Sequence, residues 1–191
     1  MKTRMMIGTL VMAGILGLSG AVYAADTYQV DPVHSTAIFK INHFNMAPFY
    51  GRIVGPTGTF VLDEDFTKST FQIELAIDKI DTANEKRDNH LKGPDFFNAK
   101  QYPTATFKST SIKKGDGESY DVTGDLTLHG VTKPVTLKVE KTGQGKDPMG
   151  KERAGLSVQT VIKRSDFGVS YMPQGLGDDV TLMFGVEGLK Q

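Results

Sequence analysis

The chain has 191 residues, no cysteine, and 22 basic residues against 22 acidic ones. It therefore lacks the excess of basic side chains by which nucleic-acid-binding domains are recognised. The lack of cysteine excludes thiol catalysis, thiolate metal sites and disulfide bonds. We expect a domain held together by its hydrophobic core, with no nucleic-acid partner.

The first 24 residues have the order of a cleavable secretory signal. Lys2 and Arg4 precede an apolar run over residues 5–18, and small residues follow it up to Ala24. The apolar run is shorter than the ~20 residues that an uncleaved membrane anchor needs. We expect cleavage between Ala24 and Ala25, and a mature domain that is exported and is not an integral membrane protein.

Alternation of apolar and polar residues with a period of two predicts β-strands along the mature chain. The clearest strand lies at residues 71–77, where every second side chain from Phe71 to Ile77 is apolar. The other predicted strands lie at residues 28–30, 36–41, 58–62, 105–111, 120–128, 135–139, 156–160 and 180–186. Turn residues at 114–117, 129–134 and 147–150 predict connections between them. Many short strands of this kind favour an all-β antiparallel barrel or sandwich.

One segment departs from the strand pattern. Thr82-Ala-Asn-Glu85 fits a capping box, which begins a helix, and Gly93 followed by Pro94 ends one. We predict a short helix near residues 84–92 that covers one end of the barrel or sandwich.

The sequence contains no recognisable catalytic or metal-binding motif. The four histidines, His34, His43, His90 and His129, lack the spacing of a zinc site. A nucleophile elbow, a phosphate loop and a dinucleotide fingerprint are also missing. We expect no metal, no cofactor and no catalytic residue.

Two groups of side chains each allow two interpretations. Arg87 and His90, on the predicted helix, either form a polar mouth that meets a ligand head group or fasten the helix to the rest of the fold. From the residues alone we favour the second. The aromatic residues either fill a core or line an apolar cavity, and periodicity does not separate these arrangements.

Several short motifs follow one another across the mature chain. They include Asp31-Pro-Val-His-Ser35, Ile80-Asp-Thr82, Arg87-Asp-Asn-His-Leu91, Asp95-Phe-Phe97, Gly124-Asp-Leu-Thr-Leu-His-Gly-Val-Thr-Lys-Pro134 and Arg164-Ser-Asp-Phe-Gly168. As an ordered set they resemble the YceI family of exported bacterial proteins. The resemblance implies an extended, lipocalin-like antiparallel β-barrel over residues 25–191. It also implies a periplasmic location and a polyisoprenoid or other long-chain amphiphile held in a tunnel through the barrel.

In such a barrel the aromatic residues become candidates for lining the interior. Phe39, Ile41 and His43 share one strand face, which we expect to point inward. The other expected lining residues are Phe97, Phe107 and Phe184, and the expected polar mouth is formed by Arg87 and His90. A register shift of one residue would reverse these faces.

The expected function is that of a periplasmic binding or carrier protein, not an enzyme. One alternative is an enzyme acting on a small amphiphile, with His43 or His90 as acid or base. It predicts that a histidine and a carboxylate converge in the pocket. The other alternative is a stress-related structural or partner-binding domain without a small ligand, which predicts an exposed apolar patch.

Overall fold

The computed structural model describes residues 25–191, and the predicted signal sequence at residues 1–24 lies outside that range. The described residues form eleven β-strands and one α-helix. The strands are β1 Asp26–Val30, β2 Thr36–His43, β3 Ala47–Val54, β4 Thr57–Leu62, β5 Thr70–Ala76, β6 Ile80–Asp81, β7 Thr104–Lys114, β8 Ser119–Leu128, β9 Val131–Lys146, β10 Glu152–Lys163 and β11 Leu176–Lys190. The helix, α1, is Glu85–Leu91. No described helix has both the length and the apolar character needed to cross a membrane.

Eight of the strands close into an antiparallel barrel. Their order around the barrel is β1, β4, β5, β7, β8, β9, β10 and β11, and β11 pairs back onto β1. Closure leaves no free edge within this ring, so its backbone hydrogen bonds are satisfied between neighbours. The structure confirms the prediction of an all-β barrel with one short helix.

The remaining strands widen the barrel at one end. β1 and β2 both pair with β11, β1 near Gly188 and β2 from Gly185 to Leu176. β3 pairs with β2, and β6 with β3, so this second group continues the wall beyond β1. We call the end that holds the β2–β3 turn and the loop at residues 168–175 the open end. The opposite end, with the β9–β10 turn, is the closed end.

Packed aromatic rings fill the closed end. Tyr28 stacks on Phe60, Phe60 on Phe71, and Phe66 on Tyr120, with ring centroids 5.1, 6.3 and 4.2 Å apart. We call these five residues the aromatic plug. Four of them belong to one buried cluster with Val122, Val139 and Leu156, and the partly buried Tyr120 packs against that cluster. The tunnel implied by the resemblance therefore does not continue through the closed end, where the plug is packed between the barrel walls.

The predicted helix is present, but its predicted cap is wrong. The N-cap is Asn84, whose side chain accepts a hydrogen bond from the Arg87 backbone N–H at 2.9 Å. Thr82 lies two residues earlier, and its hydroxyl is bonded to the Asp88 carboxylate. Ala83 between them has a φ of 59°, so the chain turns sharply before the helix. The Thr82 hydroxyl, which the capping box would place at the first backbone N–H groups of the helix, therefore donates to the Asp88 carboxylate instead.

Most of the predicted strands and turns are confirmed, but the two-residue strand β6 was not predicted, and three further differences appear. Residue 77, predicted as strand, begins a short 3-10 turn. Residues 131–134, predicted as a connection, already belong to β9, and the turn itself is His129-Gly130, with φ of 51° and 76°. β3 was not predicted, because Pro48 and Gly51 interrupt its alternation of apolar residues.

A partly buried arginine joins the chain segments of the closed end. The Arg153 guanidinium donates to Asp31 at 2.8 Å, to Asp147 at 2.7 Å and to Glu187 at 2.6 Å. His34 Nδ1 lies 2.8 Å from the same Asp31 carboxylate. Asp31, His34 and Glu187 are close enough together to hold a metal ion. The guanidinium already supplies positive charge to two of them, which explains the cluster without a metal.

This cluster predicts that the free energy of unfolding depends on pH. Hydrogen bonds from His34 and Arg153 hold the pKa of Asp31 far below its ordinary value. A carboxyl group whose pKa is lower in the folded chain than in the unfolded chain stabilises the folded state. Its contribution is complete at pH values above the unfolded pKa of about 3.9, and it is lost as the pH falls toward the folded pKa. We expect the urea midpoint to fall below about pH 4, and less steeply in Arg153→Met. Lys133→Met, which removes an exposed pair with Asp166, is the control. Equal acid profiles for the parent and Arg153→Met would contradict this.

Candidate binding cavity

An apolar cavity of about 380 Å³ lies inside the open end of the barrel. Its walls are the inward faces of β2 and β11, parts of β5, β7 and β8, and the helix with the segment after it. Alanine, valine, leucine, isoleucine, methionine and phenylalanine provide most of the lining. No Asp or Glu of the described chain lines this space. The volume falls in the usual range of small-ligand sites.

The strand register explains why β2 and β11 make the main wall. Ala37, Phe39, Ile41 and His43 alternate along β2, and all four line the cavity. Their cross-strand partners on β11 include the lining residues Phe184, Leu182 and Val180. Paired residues of neighbouring strands point to the same side of a sheet. The face predicted to point inward on β2 is therefore the face that meets the cavity.

The cavity ends at a layer of side chains that we call the floor layer: Ile73, Phe107, Leu126 and Phe184. Phe107 is paired with Ile73 on one side and Leu126 on the other. Leu126 and Phe184 line the cavity, whereas Ile73 and Phe107 do not. Phe107 is packed into the buried cluster of the closed end. Its ring covers Gly124, where an added Cβ would approach the ring to 2.5 Å. The expectation that Phe107 lines the cavity is corrected: Phe107 seals its inner end.

Arg87 belongs to the cavity wall and also fastens the helix. Its Nε donates to the Thr82 hydroxyl at 2.8 Å, and Nη2 donates to the Thr82 carbonyl at 2.7 Å. The guanidinium lies over the Phe49 ring, 4.5 Å from the centroid. Both interpretations of Arg87 thus describe part of its geometry. Among the ion pairs of residues 25–191, none involves Arg87, so its charge is not neutralised by a carboxylate.

His90 lies at the mouth of the cavity, next to two aromatic rings. Its ring meets Phe96 and Tyr171 edge-on, with centroids 5.1 and 5.5 Å away. Its Nε2 is 2.8 Å from an Asp95 oxygen, and both side chains are about half exposed. Asp95 is not part of the cavity lining. Of the pair that the enzyme alternative requires, His90 lines the cavity at its mouth, whereas the Asp95 carboxylate lies outside the lining.

A second arginine, Arg164, lines the cavity and organises its mouth. It follows β10 and is buried. Its guanidinium donates to the carbonyls of Gly177, Val169, Tyr171 and Leu176, at distances of 2.8 to 3.2 Å. Burial lowers the pKa of Arg164, yet an arginine remains protonated in proteins. These bonds hold the loop at residues 168–175 against the end of the barrel.

The structure brings together most of the side chains singled out from the sequence. Those that line one cavity are Phe39, Ile41, His43, Phe97, Phe184, Arg87 and His90. The aromatic residues Phe49 and Tyr171 also line it, as do Arg164 and Met172, which were not predicted. A signal for Arg164 exists in the sequence, because it continues the inward positions Val158 and Ile162 of β10. A charged residue on an inward face marks a functional or structural site.

Comparisons with known proteins give one consistent family. Residues 28–188 match the YceI-like domain. Protein YceI of Escherichia coli O157:H7 is 40% identical over 185 residues, which cover 95% of this chain and 96% of that protein. The crystal structure of BcnA from Burkholderia cenocepacia superposes with a TM-score of 0.75 at 25% identity, covering 83% of this chain and 98% of BcnA.

A polyisoprenoid binding domain from Saccharophagus degradans has a TM-score of 0.66 at 16% identity. The match covers 86% of this chain and 98% of that domain. At this level of identity the likeness concerns the fold alone.

Proposed function

The chain belongs to the YceI-like domain family, and from that premise we propose that it binds one long-chain amphiphile, an isoprenoid or another lipid, in the cavity of the open end. The proposal rests on where apolar and charged side chains lie in the cavity lining. The interior is apolar, and the charged side chains of its lining are Arg87 and Arg164, with His90 beside them at the mouth. An amphiphile has the same division, with an apolar chain and a polar head.

The energetics of such binding follow from burial. Each methylene removed from water contributes about 0.8 kcal/mol, so a chain of several methylenes binds without any charged contact. The head group then meets Arg87 and His90. Since the lining contains no carboxylate, a head that accepts hydrogen bonds, such as a carbonyl, hydroxyl, phosphate or carboxylate, fits this mouth better than a cationic head.

We further propose that the protein acts as a carrier in the periplasm after removal of residues 1–24. A long-chain lipid is poorly soluble in the aqueous space between two membranes, and a closed barrel with an internal cavity shelters the chain from water. Export is then a condition for function. Native mass spectrometry of protein taken from the periplasm should detect a bound lipid, and finding none by solvent extraction would contradict the carrier role.

Filling the cavity tests the binding site directly. In Ala105→Phe a ring replaces a buried methyl group of the cavity wall. Displacing two methylenes of the bound chain loses about 1.6 kcal/mol, a reduction in affinity of more than tenfold. The measurement is titration with a fluorescent fatty-acid analogue in solution. Val161→Phe adds the same ring on the exposed face of β10 and should leave the affinity unchanged; equal affinities for both variants would place the ligand elsewhere.

The enzyme alternative is distinguished by the fate of the ligand. The pairing of His90 with Asp95 at the mouth is the observation that favours it. A catalytic His90 predicts that a bound amphiphile is converted and released as a different compound. Binding alone predicts that mass spectrometry recovers the amphiphile unchanged after prolonged incubation.

A further inference from the structure

Four exposed apolar side chains surround the mouth of the cavity. They are Phe44 and Met46 at the β2–β3 turn and Tyr171 and Met172 in the facing loop, and we call them the mouth rim. Met46 is 87% exposed, and the other three are 41–45% exposed. Single exposed apolar residues are ordinary, but a cluster at the edge of a cavity indicates an interaction surface.

The two loops of the mouth rim form one continuous surface. The Phe44 backbone N–H donates to the Gly175 carbonyl at 2.7 Å. An added Cβ at Gly175 would meet Phe44 Cε1 at 2.7 Å and the Met172 sulfur at 3.2 Å. Phe44 and Met172 thus lie on either side of one glycine. Tyr171 and Met172 also line the cavity, so the rim surface continues directly into the binding site.

The rim segments carry no acidic or basic residue apart from one histidine. Residues 41–51 and 167–177 contain no Asp, Glu, Lys or Arg, although these four make up 23% of the chain. A surface that enters a less polar environment with full charges loses their hydration. Within these two segments His43 is the only acidic or basic side chain, and the half-exposed His90–Asp95 pair adjoins Tyr171. The composition of the rim fits contact with a lipid surface better than contact with charged protein side chains.

The backbone of the rim is held in an uncommon conformation. Phe44, Asn45 and Met172 have φ values of 52°, 53° and 54°, three of the six positive values among the described non-glycine residues. A bulky residue such as phenylalanine rarely adopts a positive φ, because its Cβ crowds the backbone. Such strain persists where the surrounding structure imposes it, and it concentrates at binding sites. Here it turns apolar side chains outward at the mouth.

We propose that the mouth rim docks on the surface of a lipid bilayer, so that an amphiphile passes between the membrane and the cavity without crossing water. The inference rests on the proposed function. Four side chains cover much less than the ~1,200 Å² that a stable protein interface buries, so the contact is weak and reversible. Reversibility suits a carrier that must leave the membrane again. Aromatic and apolar side chains with few charges are typical of such interfacial contacts.

Vesicle flotation tests the docking. Mature protein is mixed with vesicles of phosphatidylethanolamine and phosphatidylglycerol, and the bound fraction is measured after flotation. Met46→Ser and Phe44→Asn remove rim side chains that do not line the cavity, and asparagine tolerates the positive φ of Phe44. We expect each to reduce vesicle binding about tenfold. Met149→Ser, at a 75% exposed methionine of the closed end, should not change it.

Binding of the fluorescent fatty-acid analogue in solution separates the two proposals. If the rim variants keep the parent affinity for this probe but lose vesicle binding, the docking proposal is supported. A parent protein that binds the probe but does not float with vesicles overturns docking and leaves the proposed function standing. An equal loss in Met149→Ser also overturns docking. So does a parent dimer that Met46→Ser converts to a monomer, because the rim would then contact a second copy. A parent that floats but does not bind the probe overturns the proposed function instead.

Discussion

The Phe107→Ala variant is expected to lose about 3–5 kcal/mol of unfolding free energy and, at the same time, to bind longer chains than the parent protein. The loss follows from the removal of a buried ring that is packed between Ile73 and Leu126. The gain follows from its position, since Phe107 separates the cavity from the aromatic plug. Removing the ring extends the cavity toward the closed end.

A series of fatty acids of increasing length measures this effect. In the parent, affinity should rise about fourfold with each added methylene and then level off when the chain reaches the floor layer. In Phe107→Ala the levelling should occur at a longer chain. Urea denaturation gives the loss of stability in the same preparations.

Phe71→Ala is the matched control for this experiment. Phe71 is also a buried phenylalanine, which stacks on Phe60 and meets the tilted ring of Phe66 in the aromatic plug. Phe71 lies two residues before Ile73 on β5, on the side away from the cavity. Its removal should cost similar stability without changing the preferred chain length. If Phe107→Ala shows the parent's length dependence, the floor layer does not limit the ligand.

The Arg164→Met variant is expected to lose about 3 kcal/mol of unfolding free energy and most of the affinity for the ligand. Methionine keeps much of the apolar stem but donates no hydrogen bond. It therefore leaves the carbonyls of Val169, Tyr171 and Gly177 without their donor. Each buried carbonyl left unpaired costs about 1–3 kcal/mol, reduced where water reaches it. The loop that carries Tyr171 and Met172 should become mobile.

Denaturation, probe titration and hydrogen exchange together test this role. Exchange should accelerate at residues 168–176 in Arg164→Met and remain unchanged in β1 and β4 at the closed end. Arg164→Lys should rescue only part of the stability, because one ammonium cannot reproduce the forked geometry of the guanidinium. Lys163→Met, at the exposed neighbour that pairs with Asp179, is the control. Retained affinity and slow exchange in Arg164→Met would show that the loop is held by other contacts.

The strand faces were predictable because they depend on a local pattern. Alternation along residues 36–41 and 71–76 places every second side chain on one face of a strand, and β2 and β5 have that arrangement. β3 escaped prediction because its inward position 51 is a glycine. That glycine gives room to the Phe39 ring on the neighbouring strand. The reason for Gly51 is thus a residue twelve positions away, which a local pattern does not contain.

Two similar segments show what the sequence determined and what only the tertiary structure decided. Ala37-Ile-Phe39 and Ala105-Thr-Phe107 both place an alanine and a phenylalanine on an inward face, and both rings cover a glycine of the next strand. The sequence does not distinguish the two segments, because an apolar side chain is removed from water both when it lines an apolar cavity and when it packs in a core.

The two phenylalanines differ in the side chains that face them from the opposite wall of the barrel. Phe39 belongs to the part widened by β2, β3 and β6, where its ring borders the cavity. Phe107 meets the packed side chains of the closed end and becomes the floor. The alternation of residues determined an all-β antiparallel fold with apolar inward faces, and the family resemblance implied that this fold is a barrel. The long-range pairing of β2 with β11 decided which end of the barrel is hollow, because it adds β2, β3 and β6 to the wall at that end.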